Sequence, residues 1–255
     1  MLETINIVWF KRDLRTNDHA PLLNASQQKL PLIPIYIVEP IYWESDHSSR
    51  KHWHFIHDCL IDLNDELSSL GQPLVIQVGD SVEIFSKINE KFSIKNIYSH
   101  EETGNIWTYN RDKRVQEWCK KNNIGLKENP SNGVVRNLSS RDDWSKIRNK
   151  RMLEKIHPKP KFINPISQNI HSKLPSKDNI LFGEPLLGRV QRGGRINAII
   201  DLKSFLNERS SEYLYHISAP GKSEKYCSRL SAHLAWGTLS VREIVQSIKK
   251  RRLQL

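Results

Sequence analysis

The chain has 255 residues, which is enough for one large domain or two smaller ones with a buried core, so disorder throughout is excluded. Its 39 Lys and Arg against 28 Asp and Glu give a net charge of +11, which favours a polyanionic partner. Three scattered cysteines, no apolar run that could span a bilayer and no signal-peptide pattern lead us to expect a cytoplasmic protein without membrane contact.

Short apolar runs alternate with helical patterns over the first 128 residues. The apolar runs predict five strands, at 5–10, 31–38, 74–78, 94–99 and 126–128. Helices are predicted between them, the first running from the segment 17–21 to about residue 28 and the others at 49–70, 82–91 and 106–122. Pro34 is tolerable only near the edge or end of its strand. The alternation predicts an α/β fold, a Rossmann-like, doubly wound five-stranded parallel sheet.

The helical and strand patterns weaken after residue 128. Residues 141–161 hold eight basic and three acidic side chains, and prolines at 158, 160, 165, 175 and 185 interrupt the chain up to residue 185. One short helix is predicted near 140–155. Helical spacing returns at 195–213 and again at 241–249. We therefore expect an α/β domain at 1–128, a connector at 129–190 and a helical region at 191–255.

Polar residues follow the predicted strands at 11–15, 39–42, 79–81 and 100–105. In doubly wound sheets, ligands bind outside the carboxyl ends of the strands. These four loops are therefore the expected walls of a binding site.

Three motifs occur in a definite order along the chain. A Val-Trp-Phe strand end is followed by Lys11-Arg12-Asp13-Leu14-Arg15-Thr16-Asn17-Asp18-His19-Ala20-Pro21-Leu22. The fourth strand is followed by Gly104-Asn105-Ile106-Trp107-Thr108-Tyr109-Asn110-Arg111-Asp112. Later, Gly193-Gly194-Arg195 opens a helix that precedes Cys227-Ser228-Arg229-Leu230-Ser231. In these motifs the chain resembles the DNA photolyase and cryptochrome family. The resemblance implies an antenna-type α/β domain followed by the beginning of an all-α FAD-binding domain, and thus a truncated chain.

The resemblance also implies two cofactor sites. Its FAD-binding positions are Tyr213, Cys227, Ser228, Arg229, Leu230 and Ser231, with Cys227 standing where many members have threonine. Its antenna-cleft candidates are Lys11, Arg12, Asp13, Glu101, Glu102 and Trp107. Asp13 is expected to accept a hydrogen bond from an arginine and so to fix the position of its loop. Folate-binding members carry an Asn-Glu pair where Trp107 and Thr108 align, so a folate antenna is not expected here. The alternatives are a deazaflavin, a flavin or no antenna chromophore. Trp107 is interpreted equally well as a core residue of its helix.

Basic residues supply the candidates for DNA contact. They are Lys222 and Lys225 before the Cys227 motif, and Arg148, Lys150 and Arg151 in the connector. The basic run at 249–252 either adds to the DNA contact or is simply exposed to solvent. The histidines at 47, 52, 54 and 57 lack acidic or cysteine partners at ligand spacing, so no metal site is predicted.

The implied function is light-driven repair of cyclobutane pyrimidine dimers in DNA by electron transfer from reduced FAD. No catalytic residue is assigned, because the cofactor carries the chemistry. This chain is expected to be an amino-terminal portion that is inactive alone and that needs the missing carboxy-terminal part of the FAD domain, for which a second polypeptide is one source. A cryptochrome-like light sensor and an inactive degenerate fragment are the alternatives. We also expect Leu234, Trp236, Leu239 and Ile244 to form an exposed apolar patch.

Overall fold

The computed structural model describes residues 2–186 and 188–254. Five strands form one parallel sheet in the order β3-β2-β1-β4-β5. Their bounds are β1 Thr4–Phe10, β2 Leu32–Val38, β3 Val75–Val78, β4 Ser93–His100 and β5 Gly125–Asn129. The predicted sheet is confirmed. The chain builds outward from β1 to β3 and then returns to the other side of β1, so the topological switch point lies between β1 and β4.

Helices cover both faces of this sheet. They are α1 Ala20–Ser26, α2 Pro40–Trp43, α3 Arg50–Ser69, α4 Ser81–Lys91 and α5 Ile106–Lys121. Strand β1 is buried on both sides, because Val8 and Phe10 join the core beneath α3 while Ile7 and Trp9 join the core beneath α4 and α5. Of these five helices, only α2 was not predicted from the sequence, since four residues are too few to show a helical period.

Pro34 lies in an internal strand, yet no hydrogen bond of the sheet is lost there. The N–H of Leu32 points away from β1 and bonds to the Asn164 carbonyl, and the nitrogen of Pro34 faces the same way because strand residues alternate. On that side β3 begins only with Val75, which pairs with Ile35. Pro34 therefore lies inside an internal strand rather than at the edge or end of its strand as expected, and it is tolerated because β3 has not yet begun beside it.

The connector packs along the α/β layer. It contains the predicted helix as α6 Trp144–Leu153 and a 3-10 turn at Ile180–Phe182. Phe182 stacks on Trp53 with ring centroids 3.9 Å apart, and the buried Ile163 donates its N–H to the Leu70 carbonyl. Because these contacts are made by isolated side chains, they produce no helical or strand periodicity in the sequence of the connector. The domain boundaries near 128 and 190 stay a prediction.

Five helices form the last region, namely α7 Arg195–Asn207, α8 Tyr213–His216, α9 Pro220–Tyr226, α10 Ser231–Ala235 and α11 Val241–Gln254. Helix α7 ends six residues earlier than predicted, and a 3-10 turn at Arg209–Ser211 follows it. The region docks closely on α3, because a Cβ at Gly193 would overlap the Phe55 carbonyl oxygen and lie 2.7 Å from Cys59 Sγ.

The expectation of an apolar patch at Leu234, Trp236, Leu239 and Ile244 is wrong for three of the four. Leu239 and Ile244 pack in a small core with α7, and Trp236 joins the core beneath α3, so only Leu234 is exposed, at 38 %. The α/β layer and α7 supply the apolar contacts that we expected from later helices.

Candidate functional site

A cavity of about 200 Å³ lies at the switch point, between the loops that follow β1 and β4. Residues 234–241, between the start of α10 and the start of α11, close its other side. Five of the six predicted antenna residues line it: Lys11, Arg12, Asp13, Glu101 and Glu102. The sequence prediction of a site at this sheet edge therefore agrees with the location of the cavity.

Asp13 is the centre of a buried hydrogen-bond network in this cavity wall. Its Oδ2 accepts from His19 Nε2 at 2.9 Å and from His100 Nδ1 at 2.6 Å, and its Oδ1 accepts from the N–H of Lys11. His19 Nδ1 in turn accepts from the N–H of Leu22, so the proton of this ring sits on Nε2. Although burial opposes it, the two histidines hold the pKa of Asp13 well below its usual range.

The prediction that an arginine donates to Asp13 is wrong. The neighbouring Arg15 is buried and donates to the carbonyls of Gly237 and Asp18 instead. Two histidines take the expected place, because His19 at the N-cap of α1 and His100 at the end of β4 both reach the carboxylate. His100 belongs to a loop that was predicted as a wall of the site, but its contact with Asp13 was not predicted, since the two residues lie 87 apart in the sequence.

Asp13, His19 and His100 also have the spacing of a metal site, with their donor atoms within 4.8 Å of one another. A metal on His19 Nε2 would place a proton on Nδ1, facing the N–H of Leu22 that Nδ1 now accepts. Because two donors would then face each other, these residues fit a hydrogen-bonded clamp better than a metal centre. The histidines at 47, 52, 54 and 57 are not part of the cluster.

Stability is expected to fall as the pH falls from about 6.5 toward 3. Burial lowers the pKa of His100 from 6.5 to about 3, so in this window the unfolded chain binds a proton that the folded chain does not. His100 alone then lowers the free energy of unfolding by about 1.4 kcal/mol for each pH unit. Urea denaturation from pH 7 to pH 4 measures this slope.

His100→Asn is the matching variant, because its side-chain N–H can replace Nδ1 as donor to Asp13 without titrating. We expect a shallower dependence of stability on pH in this variant. An unchanged slope would show that His100 is not the group that resists protonation.

Arg111 lies beside the clamp at the centre of a buried ion network. Its guanidinium is 2.9 Å from the carboxylates of Glu39, Glu102 and Asp112, and it lies over the Trp9 ring with 4.8 Å to the centroid. These charges together raise the pKa of Arg111 despite its burial. Burial raises the pKa of Glu39, in spite of the arginine. Arg111 and Asp112 lie in the second sequence motif and Glu102 is an antenna candidate, but the sequence did not indicate that these side chains pair with one another and with Glu39.

Most antenna candidates already have protein partners. Lys11 Nζ is 2.5 Å from Asp112, while Glu102 accepts from the N–H groups of Thr103 and Gly104 as well as from Arg111. Glu101 faces Arg136 at 3.5 Å. The carboxylates of this cleft are therefore occupied by internal contacts.

Arg12 and Trp107 lie toward the β2 side of the cleft. Arg12 donates to the Tyr42 hydroxyl and lies over the Trp236 ring. Trp107 is absent from the switch-point cavity and instead lines a second one of about 280 Å³, together with Arg111, Arg114 and residues of α2. Its ring contacts Tyr42 at 5.4 Å between centroids. Trp107 thus packs against protein on one face and borders a cavity.

The loop that contains the predicted FAD residues turns three successive carbonyls inward. Arg209 donates to the carbonyls of Cys227 and Ser228, and Gln191 donates to that of Arg229 at 2.7 Å. Arg229 has a left-handed backbone, with φ of 62°. This tight turn and its two internal donors leave the acceptor side of the loop facing the protein.

The other three FAD candidates lie around this loop. Ser231 is exposed as the first residue of α10, whereas Leu230 is only 4 % exposed and packs in the small core with α7. Tyr213 begins α8, half-buried against Phe205. The structure therefore groups residues 227–231 in one turn and places the Tyr213 side chain on a separate short helix.

The DNA candidates fall on two elements. Lys222 and Lys225 are exposed on α9. Arg148, Lys150 and Arg151 are on α6, where Arg151 is half-buried and donates to the carbonyls of Asn132 and Val134.

Among the described residues, no helix combines the length and the apolar character that crossing a bilayer requires.

The fold is similar to that of solved photolyases and cryptochromes. A cryptochrome from Synechocystis superposes with a TM-score of 0.83 at 20 % identity, covering all of this chain and 57 % of the other. An archaeal photolyase from Sulfolobus tokodaii, described with two FAD molecules, superposes with a TM-score of 0.75 at 23 % identity over 98 % of this chain and 57 % of the other. This chain thus spans a little over half the length of these proteins.

Sequence comparison leads to the same family. A cryptochrome DASH from Arabidopsis thaliana, named as chloroplastic and mitochondrial, is 28 % identical over 105 residues, which cover 39 % of this chain and 18 % of that protein. The family model described as DNA photolyase matches residues 6–143, which is more than half of the chain. The predicted resemblance is confirmed, and this chain belongs to the DNA photolyase family.

Proposed function

We propose that this chain is part of a flavoprotein that binds FAD and repairs cyclobutane pyrimidine dimers in DNA under light. The observation that carries it is the turn at residues 227–231, whose carbonyls are held by Arg209 and Gln191. Because these acceptors face inward, a diphosphate on the outer side of the turn would meet hydroxyls and N–H groups rather than carbonyl dipoles. Membership of the family supports FAD as the ligand.

FAD, when bound and reduced, supplies the light absorption and the electron that the repair needs. The chain's own contribution is to hold the diphosphate through Ser228, Ser231 and Tyr213, while Arg209 keeps carbonyls of the turn facing inward. Leu230 contributes packing rather than a cofactor contact, because its side chain is buried in the core with α7. No residue of the chain is assigned a catalytic step.

Further protein is needed to cover the flavin in this proposal. Leu214 and Tyr215, next to the candidate Tyr213, are 81 % and 80 % exposed. Large apolar side chains at such exposure are typical of surfaces that bind another protein or a ligand. Helices from a longer form of the protein, or from a second polypeptide, would cover them and complete the flavin site.

An antenna chromophore is not included in the proposed function. The two cavities beside the candidate residues measure about 200 and 280 Å³, below the size of most sites for cofactor-sized ligands. Their carboxylates are also paired internally. The residues as arranged do not fit a deazaflavin or flavin.

The cytoplasmic location of the protein stays a prediction.

FAD titration of the protein in complex with a polypeptide that carries the remaining helices of the flavin domain tests the role of the turn. Arg209→Met is expected to weaken FAD binding at least tenfold, because the carbonyls of Cys227 and Ser228 would lose their donor and could face the diphosphate. Lys203→Met, which removes an exposed charge from the neighbouring α7, is the matched control and should bind as the unchanged chain does. Equal FAD affinity in both variants would refute the proposed role of the turn.

The need for further protein is tested by expression with and without a polypeptide that carries the remaining helices of such a flavin domain. We expect stoichiometric flavin absorbance only in the complex. Flavin in the chain alone would refute the need for cover, and no flavin in either preparation would favour the inactive fragment.

Light-dependent loss of thymine dimers in the flavin-loaded complex distinguishes repair from sensing. We expect dimers to disappear on illumination and to persist in the dark. A loaded complex that leaves dimers intact but changes conformation under light would favour the cryptochrome-like alternative.

A further inference from the structure

The connector covers one of the two edges of the sheet, the one formed by β3. The N–H of Ile76 donates to Ser172 Oγ at 2.8 Å, and the Ser172 hydroxyl donates to the Leu74 carbonyl at 3.4 Å. The neighbouring Gln77 donates through its side chain to the His171 carbonyl. Backbone groups that β3 directs away from the sheet are therefore bonded within the protein itself.

Strand β5 forms the other edge. The Asn129 carbonyl accepts from the N–H of Glu101, which follows β4, so Asn129 directs its backbone groups toward β4. Because strand residues alternate, Lys127 faces β4 as well, and the N–H and C=O groups of Leu126 and Glu128 face away from the sheet. Within residues 2–186 and 188–254, these four outward groups have no hydrogen-bond partner. The β5 edge is therefore open to a further strand.

A cavity of about 310 Å³ lies beside this open edge. Leu126 and Glu128 line it from the strand, and Tyr109, Lys113 and Gln116 line it from α5. An extended segment placed along β5 would direct every second side chain to this face of the sheet, where the cavity has room for one. Unpaired backbone groups next to a side-chain pocket are the arrangement that binds peptides by strand addition.

Two lysines determine the charge that this edge presents to a partner. The carboxylates of Glu101 and Glu128 are paired with Arg136, at 3.5 and 2.8 Å. In contrast, Lys113 and Lys127 are exposed, and neither forms an ion pair in the part of the chain that the structure describes. Since opposite charges on neighbouring strands attract, the edge favours an occupant with acidic side chains.

A second copy of this chain fits the edge less well. If two β5 strands paired in opposite directions through the outward groups of Leu126 and Glu128, the two Lys127 residues would lie directly opposite each other. Like charges at such positions destabilise a strand pair, and a lysine on an edge strand commonly prevents self-association. The net charge of +11 adds to the repulsion between copies.

We infer that the β5 edge binds an extended, acidic peptide segment of a partner protein by strand addition. The N–H and C=O groups of Leu126 and Glu128 bond to the backbone of this segment. Its side chains on one face enter the cavity beside α5, and an acidic side chain on the other face pairs with Lys127. This contact goes beyond the proposed function, because it needs neither FAD, light nor DNA.

Amide hydrogen exchange of the full chain, with and without the peptide Val-Glu-Val-Glu-Val-Glu-Val, tests the inference. At a peptide concentration about ten times the Kd, we expect the amides of Leu126 and Glu128 to exchange about tenfold more slowly, because only the free protein exchanges. The amide of Lys127, which already bonds to β4, should be unchanged. Unchanged exchange at Leu126 and Glu128 with the peptide bound, or no binding of the peptide, would overturn the inference.

N-methylation of the peptide separates strand addition from charge attraction. Only every second N–H of an added strand faces β5, so methylation of that set should abolish binding, while methylation of the alternate set should preserve it. Both methylated peptides carry the same charges. Equal affinities of the two would show that the backbone is not recognised, and would overturn the inference.

Lys127→Gln should weaken binding of the unmethylated peptide about two- to fivefold, the size expected for one exposed ion pair. Lys51→Gln, which removes an exposed lysine from α3, is the matched control and should bind as the unchanged chain does. An equal loss in both variants would contradict the role of Lys127. A dimer that the peptide dissociates, detected by sedimentation, would overturn the choice of partner in favour of a second copy. These outcomes are independent of whether FAD binds or dimers are repaired.

Discussion

Arg111→Met is expected to destabilise the folded protein by about 3–5 kcal/mol, because it leaves buried carboxylates without their partner. Glu39, Glu102 and Asp112 each lie 2.9 Å from the guanidinium and are buried. Methionine keeps much of the volume but none of the charge. Urea denaturation at pH 7 gives the change in free energy of unfolding.

Arg114→Met is the matched control on the same helix. Arg114 also pairs with a carboxylate, that of Asp80, but its side chain is 54 % exposed. Exposed pairs contribute about 0–1 kcal/mol, so this variant should be close to the unchanged protein. If the two variants lost equal stability, the burial of the network would not be the cause.

Adding Glu102→Gln to Arg111→Met should recover part of the loss. The substitution removes one of the unpaired charges while keeping an oxygen that accepts from the N–H groups of Thr103 and Gly104. No recovery would indicate that Arg111 acts through packing on Trp9 and Trp107 instead of through charge.

Gly237→Ala is expected to destabilise the protein by about 2–5 kcal/mol and to loosen the last helices from the sheet. Gly237 has φ of +67°, which costs a residue with a Cβ about 1–2 kcal/mol. The new Cβ would overlap the Arg12 carbonyl oxygen and lie 2.6 Å from Asp13 Cα, and overpacking of this kind costs about 1–3 kcal/mol. The same close approach carries the hydrogen bond from Arg15 to the Gly237 carbonyl.

Denaturation measures the loss of stability, and limited proteolysis shows where the structure opens. We expect new cleavage between residues 191 and 240. Gly221→Ala is the control, because within the described part of the chain its Cβ would meet nothing closer than 4 Å. Alanine in α9 should be neutral or slightly stabilising. Resistance to protease in Gly237→Ala equal to that of the control would contradict the docking role of residue 237.

Local patterns made most of the fold predictable. The apolar runs gave all five strands, and the face of α3 that contains Cys59 and Leu63 is buried as its period predicts. The candidate site was predictable at the level of loops, because the ends of parallel strands meet at one edge. Its chemistry was not predictable, since His19, His100 and Arg111 come from separate elements. His19 and Arg111 lie within the sequence motifs, but a motif does not show which distant carboxylate each side chain contacts.

The sequence by itself determined the parallel sheet, the family and the sheet edge where the cavity lies. These follow from periodicity and from short motifs, which act over a few residues. Tertiary structure alone decided that Asp13 binds two histidines rather than an arginine, and that Trp236, Leu239 and Ile244 are buried. It also decided that the connector covers the β3 edge of the sheet. Each of these depends on which distant side chains come within hydrogen-bond or packing distance, and a linear pattern does not record that distance.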